Sequence, residues 1–441
     1  MNLWRDRNYP IIVSCAKGLA PYTEQELLKM GYKIVEVTEN TVVVRGAMRD
    51  MMRLNLQLRT AHRVLVPLLR TECYNLDQLY QDVFSIDWEN LLEPDSYFTV
   101  NNVVHNSTIR DTRMPSLVTK DAIADRMRKH CGGARPDSGP ETFGAAFFVY
   151  WQDNEMIVYI DTSNEPLSKR GYRRIPGDAP MQETLAAGCI LASEWDPTTP
   201  FVAPMCGSGT PAIEAALIAL NRAPGSFKTH FGFESIKGYQ LRIPTERVNN
   251  VGRRRFGGAS PEEIWREMRR DAEAAETPQN MPRILASDIN PALTEVASHN
   301  AIAAGVAKYI TFSSHDFADT EIPPAPGTIF MNPAYGERLG ANDDLVALYG
   351  RIGDFFKQRC AGYTGCVLTG NMALSRKIGL RSKHRIPFFN GPIECRMMVY
   401  DLYQGGEREA IPSNAEIIAE LPPEQRRQRK SPNHDDLIIG V

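Results

Sequence analysis

The 441 residues carry 50 basic and 53 acidic side chains, a net charge of −3, a pI near 6.3 and 43% hydrophobic content. That length exceeds what one core usually serves, so two or three domains are expected, and the slightly acidic balance confines any nucleic-acid surface to a local patch. The start MNLWRDRNYP lacks the apolar core of a signal peptide, no stretch reaches the roughly 18 apolar residues of a membrane span, and eight scattered cysteines without a C-x-x-C pair suggest neither zinc nor disulfides, so a reducing cytoplasm, with no membrane or metal partner, is expected.

The first 70 residues read as a small α+β module. YPIIVSC is extended, KGLAPYTEQELLKMG has helical period and stops at Gly31, TVVVRG is a strand, AMRDMMRLNLQLR is helical and AHRVLVPLL (61–69) closes the set. From 71 to 165 a second α+β stretch follows: a helix at 76–86, a strand at 97–104, an amphipathic helix at 118–132, and a hairpin over 144–160 turning at Asp153 and Asn154. Nothing catalytic stands out there, which points to binding or positioning.

From about 180 to 403 strand and helix alternate, the mark of an open, mostly parallel sheet. Strands are expected at 200–205, 283–287, 309–314, 327–331 and 365–370, with helices at 210–221, 291–305 and 344–360 between them. A closing antiparallel hairpin over 384–403 should turn at Asn390 and Gly391. The segment 222–282 interrupts this rhythm with a basic, Gly-rich first half and a charged helix begun by a Ser-Pro cap. The polar tail 405–441 is expected to be disordered. KRGYRR (169–174), GRRRFGG (252–258) and QRRQRK (425–430) are the basic patches, each also readable as a solvated face.

Four strand ends share one edge of the expected sheet, the edge where open α/β folds bind ligands. PMCGSGT (204–210) places Gly207 and Gly209 where a strand becomes a helix, and with Ala212 they fit G-x-G-x-x-A; a tight turn is the plain alternative. ASDIN puts Asp288 where its carboxylate can take both ribose hydroxyls of an adenosine, or cap the next helix. SHDF puts Asp316 within reach of an adenine amino group, or in solvent. NPAYGERL (332–339) follows the apolar GTIFM. Alone it reads as a turn, but beside the other three endings it reads as a catalytic loop. The Asn332 oxygen and the Pro333 carbonyl would accept the two hydrogens of a nucleobase amine, and Tyr335 would stack on the base. The electrophile would then be the sulfonium methyl of S-adenosylmethionine.

These motifs resemble the class I S-adenosylmethionine-dependent methyltransferases that carry an RNA-binding THUMP domain, in particular bacterial enzymes that methylate guanine N2 in large-subunit ribosomal RNA. The resemblance covers about residues 9–403, through CAKGLAPYTEQEL, LQLRTAHRVLVPL, RGYRR, APMQETLAAGCIL, PMCGSGT, SDIN, NPAYGERL and NGPIEC in the family's order. It implies a ferredoxin-like module (1–70), a THUMP domain (71–165) and a Rossmann-like methyltransferase domain with a mostly parallel seven-stranded sheet (166–404). It also implies cofactor contacts from Pro204, Cys206 and Thr184, and RNA contacts from Arg170, Arg173, Arg174 and Arg338. Two departures stand out: Ala203 replaces the family's usual acidic residue before PMCGSGT, and Ala334 replaces the second proline of the acceptor loop. The stretch 236–258 looks like an extra insertion. The competing readings are an adenine-N6 DNA methyltransferase, a catalytically inactive RNA-binding relative, and a nicotinamide-dependent oxidoreductase, which leaves NPAY unexplained.

Overall fold

The computed structural model describes residues 8–107, 109–174, 181–240, 246–248, 254–256, 259–334 and 342–403. Its first strand, β1 (Tyr9–Cys15), alternates buried and half-buried residues, the period of a sheet with one covered face. Then come α1 (Ala20–Lys29), β2 (Ile34–Val37), β3 (Thr41–Gly46), α2 (Met48–Gln57) and β4 (Ala61–Glu72). α3 (Leu76–Phe84), β5 (Tyr97–His105), α4 (Met114–His130), β6 (Asp137–Ser138), β7 (Ala145–Gln152) and β8 (Glu155–Asp161) follow. α4 begins four residues before the expected start, because Pro115 is tolerated in a first turn, where its missing N–H has no partner to lose. The β7–β8 hairpin turns at Asp153 and Asn154 as expected, with Asp153 at φ 51°.

The expected boundary near residue 70 falls inside a strand. Residues 61–65 of β4 pair antiparallel with β1, and from Leu65 onward β4 pairs with β8. The register shifts between Pro67 and Leu69, where proline offers no N–H to the ladder. A single sheet of order β2-β3-β1-β4-β8-β7-β5-β6 therefore runs through both N-terminal modules.

The second half contains α5 (Glu183–Ala192), β9 (Phe201–Ala203), α6 (Thr210–Ala219), β10 (Glu246–Val248), β11 (Arg254–Phe256), α7 (Pro261–Ala274), β12 (Ile284–Asp288), α8 (Pro291–Ala303) and β13 (Ile310–Ser314). It ends with β14 (Gly327–Met331), α9 (Asn342–Arg359), β15 (Tyr363–Thr369), β16 (His384–Asn390) and β17 (Ile393–Asp401). Seven of these strands form a sheet of order β13-β12-β9-β14-β15-β17-β16, parallel from β13 to β15 and antiparallel at β17 and β16. The last hairpin turns one residue later than expected: Asn390 pairs with Ile393, leaving Gly391 and Pro392 as the loop.

Both faces of this sheet are covered, so its inner strands are buried throughout. Alternate residues serve opposite cores. Phe201, Ala203 and Phe330 join the helices α6 and α8 on one side, while Val202, Ile329 and Met331 meet Tyr349, Ile352 and Phe356 of α9 on the other. In the 222–282 segment Ser260 caps α7 as expected, its hydroxyl accepting from the Glu263 N–H. The two short strands β10 and β11 there were not anticipated. The tail 405–441 lies outside the described residues. Among the described residues no helix is long and apolar enough to cross a membrane.

Candidate active site

Because β9, β12, β13 and β14 are parallel neighbours, their carboxyl ends share one edge. After β9 the chain turns sharply through Pro204 and Cys206 into Gly207 (φ 53°) and Gly209 (φ 87°), left-handed conformations that favour glycine. The two glycines differ in surroundings. A Cβ on Gly209 would lie 2.8 Å from the Ala297 Cβ, so this glycine lets α6 and α8 close up. A Cβ on Gly207 would meet nothing within 4 Å, so that side of the loop is open.

Asp288 ends β12 directly against this loop. Its Oδ2 accepts from the Gly207 N–H at 3.0 Å and its Oδ1 from the Asn290 N–H at 3.0 Å, while the Cys206 N–H donates to the Ser287 carbonyl at 2.9 Å. The helix-cap alternative fails for Asp288, since Asn290 caps α8 by accepting from the Ala292 N–H. Burial, then the nearby Asp288 carboxylate, push the Cys206 thiol up to about 12. It is therefore protonated at neutral pH and no nucleophile.

Asp316 caps the short turn after β13, where its Oδ1 accepts from the Ala318 N–H and pairs with Arg351 at 2.6 Å. Burial raises its pKa, but the Arg351 hydrogen bond and the Ala318 N–H outweigh this and hold it below the usual carboxylate range. Thr184, 2% exposed in the first turn of α5, stands beside Glu183, which pairs with Arg173 at 3.3 Å. Arg173 in turn donates to the Met181 carbonyl at 2.7 Å and the Thr210 hydroxyl at 3.0 Å, joining the starts of α5 and α6.

At the end of β14, Ile329 pairs with Val202, and continuing that register sets Asn332 level with the Pro204–Met205 turn. Pro333 is buried and Ala334 half-buried against the α9 core. The Asn332 Oδ1 is buried and, among the described residues, has no hydrogen-bond partner. Native proteins pair nearly all such atoms, which sets this acceptor apart along with a few other buried side-chain atoms, such as Asn164 Oδ1 and the Tyr400 hydroxyl. Tyr335 and Arg338 lie outside the described residues.

The structure corrects one expected RNA contact. Arg170 is 1% exposed: its guanidinium donates to the Leu167 carbonyl at 2.8 Å and to the Arg59 carbonyl, and its Nε lies 3.5 Å from Glu214. Glu214 is fully buried on α6, and the cation that balances it is drawn inward with it. Arg173 is largely engaged at the α5–α6 junction, whereas Arg174 is exposed and its N–H donates to Asn300 at 3.1 Å.

Two residues escaped the sequence reading. Asn300 steadies the glycine loop by donating to the Ser208 carbonyl at 3.2 Å; a buried Asn within a helical run was the available signal. Ile289, next to Asp288, is 72% exposed and offers an apolar surface that a flat ring can cover. The glycine loop, Asp288, Asp316 and Ile289 thus fit an adenosine-bearing cofactor, with open space at Gly207 to admit it.

Comparison with known proteins matches residues 170–399 to the RMKL-like methyltransferase domain, 10–65 to the RlmL ferredoxin-like domain and 73–161 to the THUMP domain. The "Ribosomal RNA large subunit methyltransferase K/L" of Psychromonas ingrahamii is 35% identical over 394 residues, 88% of this chain and 49% of that protein. This chain therefore spans about half the length of that relative. The "Putative RNA methyltransferase slr0064" of Synechocystis is 30% identical over 89% of this chain and 97% of its own length. Among solved structures, the methyltransferase candidate SMU.472 with bound S-adenosylhomocysteine has TM-score 0.75 and 26% identity, covering 91% of this chain and 100% of that one. A Listeria monocytogenes protein described as a predicted N6-adenine-specific DNA methylase has TM-score 0.75 and 28% identity, covering 90% of this chain and 97% of that one. With its ferredoxin-like and THUMP modules, this chain belongs to the RMKL-like family of S-adenosylmethionine-dependent methyltransferases.

Proposed function

We propose that this chain methylates the exocyclic N2 amine of a guanine in large-subunit ribosomal RNA, taking the base out of its stack into the edge lined by Gly207, Asp288 and Asn332. The observation that carries this reading is the buried Asn332 Oδ1 at the end of β14, without a partner among the described residues. It is supported by the THUMP match over 73–161 and by the ribosomal RNA substrate in the name of the Psychromonas relative.

The amine of guanine is a poor nucleophile because its lone pair is delocalised into the ring. Asn332 Oδ1 accepts one amine hydrogen and the Pro333 carbonyl the other, so the nitrogen becomes more tetrahedral and its lone pair turns outward. Pro333 is buried and its ring restricts φ, which narrows the conformations open to the backbone that carries this carbonyl. Tyr335 is assigned from the sequence to stack on the base and hold its plane. When bound, S-adenosylmethionine supplies a methyl group on a positively charged sulfur, an electrophile that needs no further activation. Positioning by the glycine loop and Asp288 then supplies most of the rate, on the order of 7–11 kcal/mol from proximity. After transfer the nitrogen is acidic and releases its proton without a strong base.

The adenine-N6 reading is favoured by the description of the Listeria protein, because one acceptor loop serves either amine. Transfer of a labelled methyl group to ribosomal RNA and to duplex DNA separates the two. Label in the N2 position of guanine is expected, and label only in DNA adenine rejects the proposal. The inactive-relative reading rests on Ala203, buried at the end of β9, and on Ala334. Calorimetry with S-adenosylmethionine tests it: no heat of binding at high micromolar ligand favours a protein that kept only the fold.

A further inference from the structure

α8 packs directly against the glycine loop, and its inward face runs through the fully buried Ala297 and Ala301. Asn300 interrupts that apolar face at 1% exposure. An amide is costly to bury unless both of its halves find partners. Packing alone would be served better by an apolar side chain of the same size.

The two halves of this amide are used in opposite directions, by backbone groups of two different segments. The Nδ2 donates to the Ser208 carbonyl of the glycine loop at 3.2 Å. The Oδ1 accepts at 3.1 Å from the N–H of Arg174, in the segment that leads out of the N-terminal sheet. These partners fix the orientation of the amide, since turning it over would set N–H against N–H and oxygen against oxygen. Leucine has neither group, and an ionised aspartate only accepts.

Ser208 lies between Gly207 and Gly209, both at positive φ, so its two peptides border the most permissive backbone of the loop. Asp288 holds the Gly207 N–H at 3.0 Å, and the Gly209 N–H closes on the Cys206 carbonyl at 2.9 Å. The Ser208 carbonyl between these bonds is the third anchor, and Asn300 supplies it from the α8 side.

We infer that Asn300 is a positioning residue for the cofactor: it sets the Ser208 peptide of the glycine loop and ties it to the Arg174 backbone, so that cofactor binding and the hold on that segment support one another. This role is the same whichever base receives the methyl group.

The test uses the full chain and S-adenosylhomocysteine, with calorimetry at two pH values and the thermal midpoint of each variant. Asn300→Asp keeps the acceptor for Arg174 and loses the donor for Ser208. At about pH 8 its dissociation constant should be roughly tenfold that of the wild type, the loss of one buried hydrogen bond. Near about pH 5.5 the ratio should fall back toward one, because burial and the facing carbonyl raise such a carboxyl, and its protonated form donates to Ser208 again. Taking the ratio to the wild type cancels the titration of Asp288 and of every other group the two chains share. Asn300→Leu should bind weakly at both pH values. In the wild type, S-adenosylhomocysteine should slow exchange of the Arg174 amide, and Asn300→Leu should abolish that slowing. Variants that melt earlier yet bind the cofactor as the wild type does at both pH values would show a merely structural residue and overturn the assignment. So would an Arg174 amide in the wild type that exchanges equally fast with and without ligand, a readout that decides the matter even where a variant fails to fold.

Discussion

Replacing Asn332 by Ala should disable the enzyme without harming the fold, and the signs can be worked from the structure. In the free protein the Asn332 Oδ1 is buried without a partner among the described residues, a state that costs about 1–3 kcal/mol. Truncation removes that cost and forfeits the packing of a small half-buried side chain, on the order of 1 kcal/mol. Folding stability should therefore stay level or rise. The hydrogen bond to the reacting amine disappears, and one preorganised bond at a reacting centre is worth about 10²–10³ in kcat. Three measurements go together: single-turnover methyl transfer to ribosomal RNA, the cofactor dissociation constant by calorimetry, and the thermal midpoint. The expected pattern is a rate loss of that size with the other two unchanged or, for the midpoint, raised. A lowered midpoint together with weaker cofactor binding would show that Asn332 merely holds the loop together, and the reasoning from the orphaned oxygen would fail.

Asp288→Ala should weaken cofactor binding by roughly 1.5–3 kcal/mol, the worth of hydrogen bonds to a charged group; an unchanged dissociation constant in calorimetry removes Asp288 from the site. Both Gly207→Ala and Gly209→Ala put a Cβ on a positive-φ residue and should cost some stability; Gly209→Ala, whose Cβ would also lie 2.8 Å from that of Ala297, should lower the melting temperature more, whereas Gly207→Ala, which meets no atom within 4 Å, should add mainly a loss of cofactor affinity. Equal loss of stability in both would refute that division. Arg170→Met leaves Glu214 without its nearest cation and should cost about 3–5 kcal/mol in denaturant unfolding, while the folded fraction keeps its RNA affinity. Burial, ahead of all charges, lowers Lys228 to about 8. From there up to the ordinary lysine range the unfolded chain binds the proton and the folded chain does not, so stability should rise with pH in that window. Lys228→Met should flatten the rise.

The methyltransferase sheet was legible because its strands are buried on both faces and read as unbroken apolar runs, as GTIFM does, each followed by a helix with a cap. The geometry of the candidate site was legible where a particular backbone is needed: Gly207 and Gly209 at positive φ, and Asp288 at a strand end. What stayed hidden depends on long-range partners. Nothing near Arg170 in the sequence shows that Glu214 will draw it inside, and the run KRGYRR reads equally well as a solvated face. The continuity of the N-terminal sheet was hidden for the same reason. β4 pairs with β1 at one end and with β8, some 90 residues on, at the other, and only the register shift at Pro67 leaves a local trace. The short strands β10 and β11 were hidden by composition, since arginine, asparagine and glycine carry little strand signal.

The buried charges explain how the two halves of the chain can act together. Arg59, from the N-terminal sheet's side, donates to the Leu217 and Arg222 carbonyls at the far end of α6, at 3.4 and 2.9 Å. Arg170 and the Tyr172 hydroxyl hold Glu214 in the middle of that helix, the latter at 2.9 Å, and Arg173 holds Thr210 at its start. The helix that carries the glycine loop is thus gripped along its length by residues belonging to, or leading out of, the N-terminal sheet. Removing either member of the Arg170–Glu214 pair strands a buried charge, so sliding at this junction is expensive. An RNA held by the N-terminal sheet would then meet a cofactor loop at a set distance. On the proposed reading, bringing a base to Asn332 would then not draw on any shift in the packing of α6.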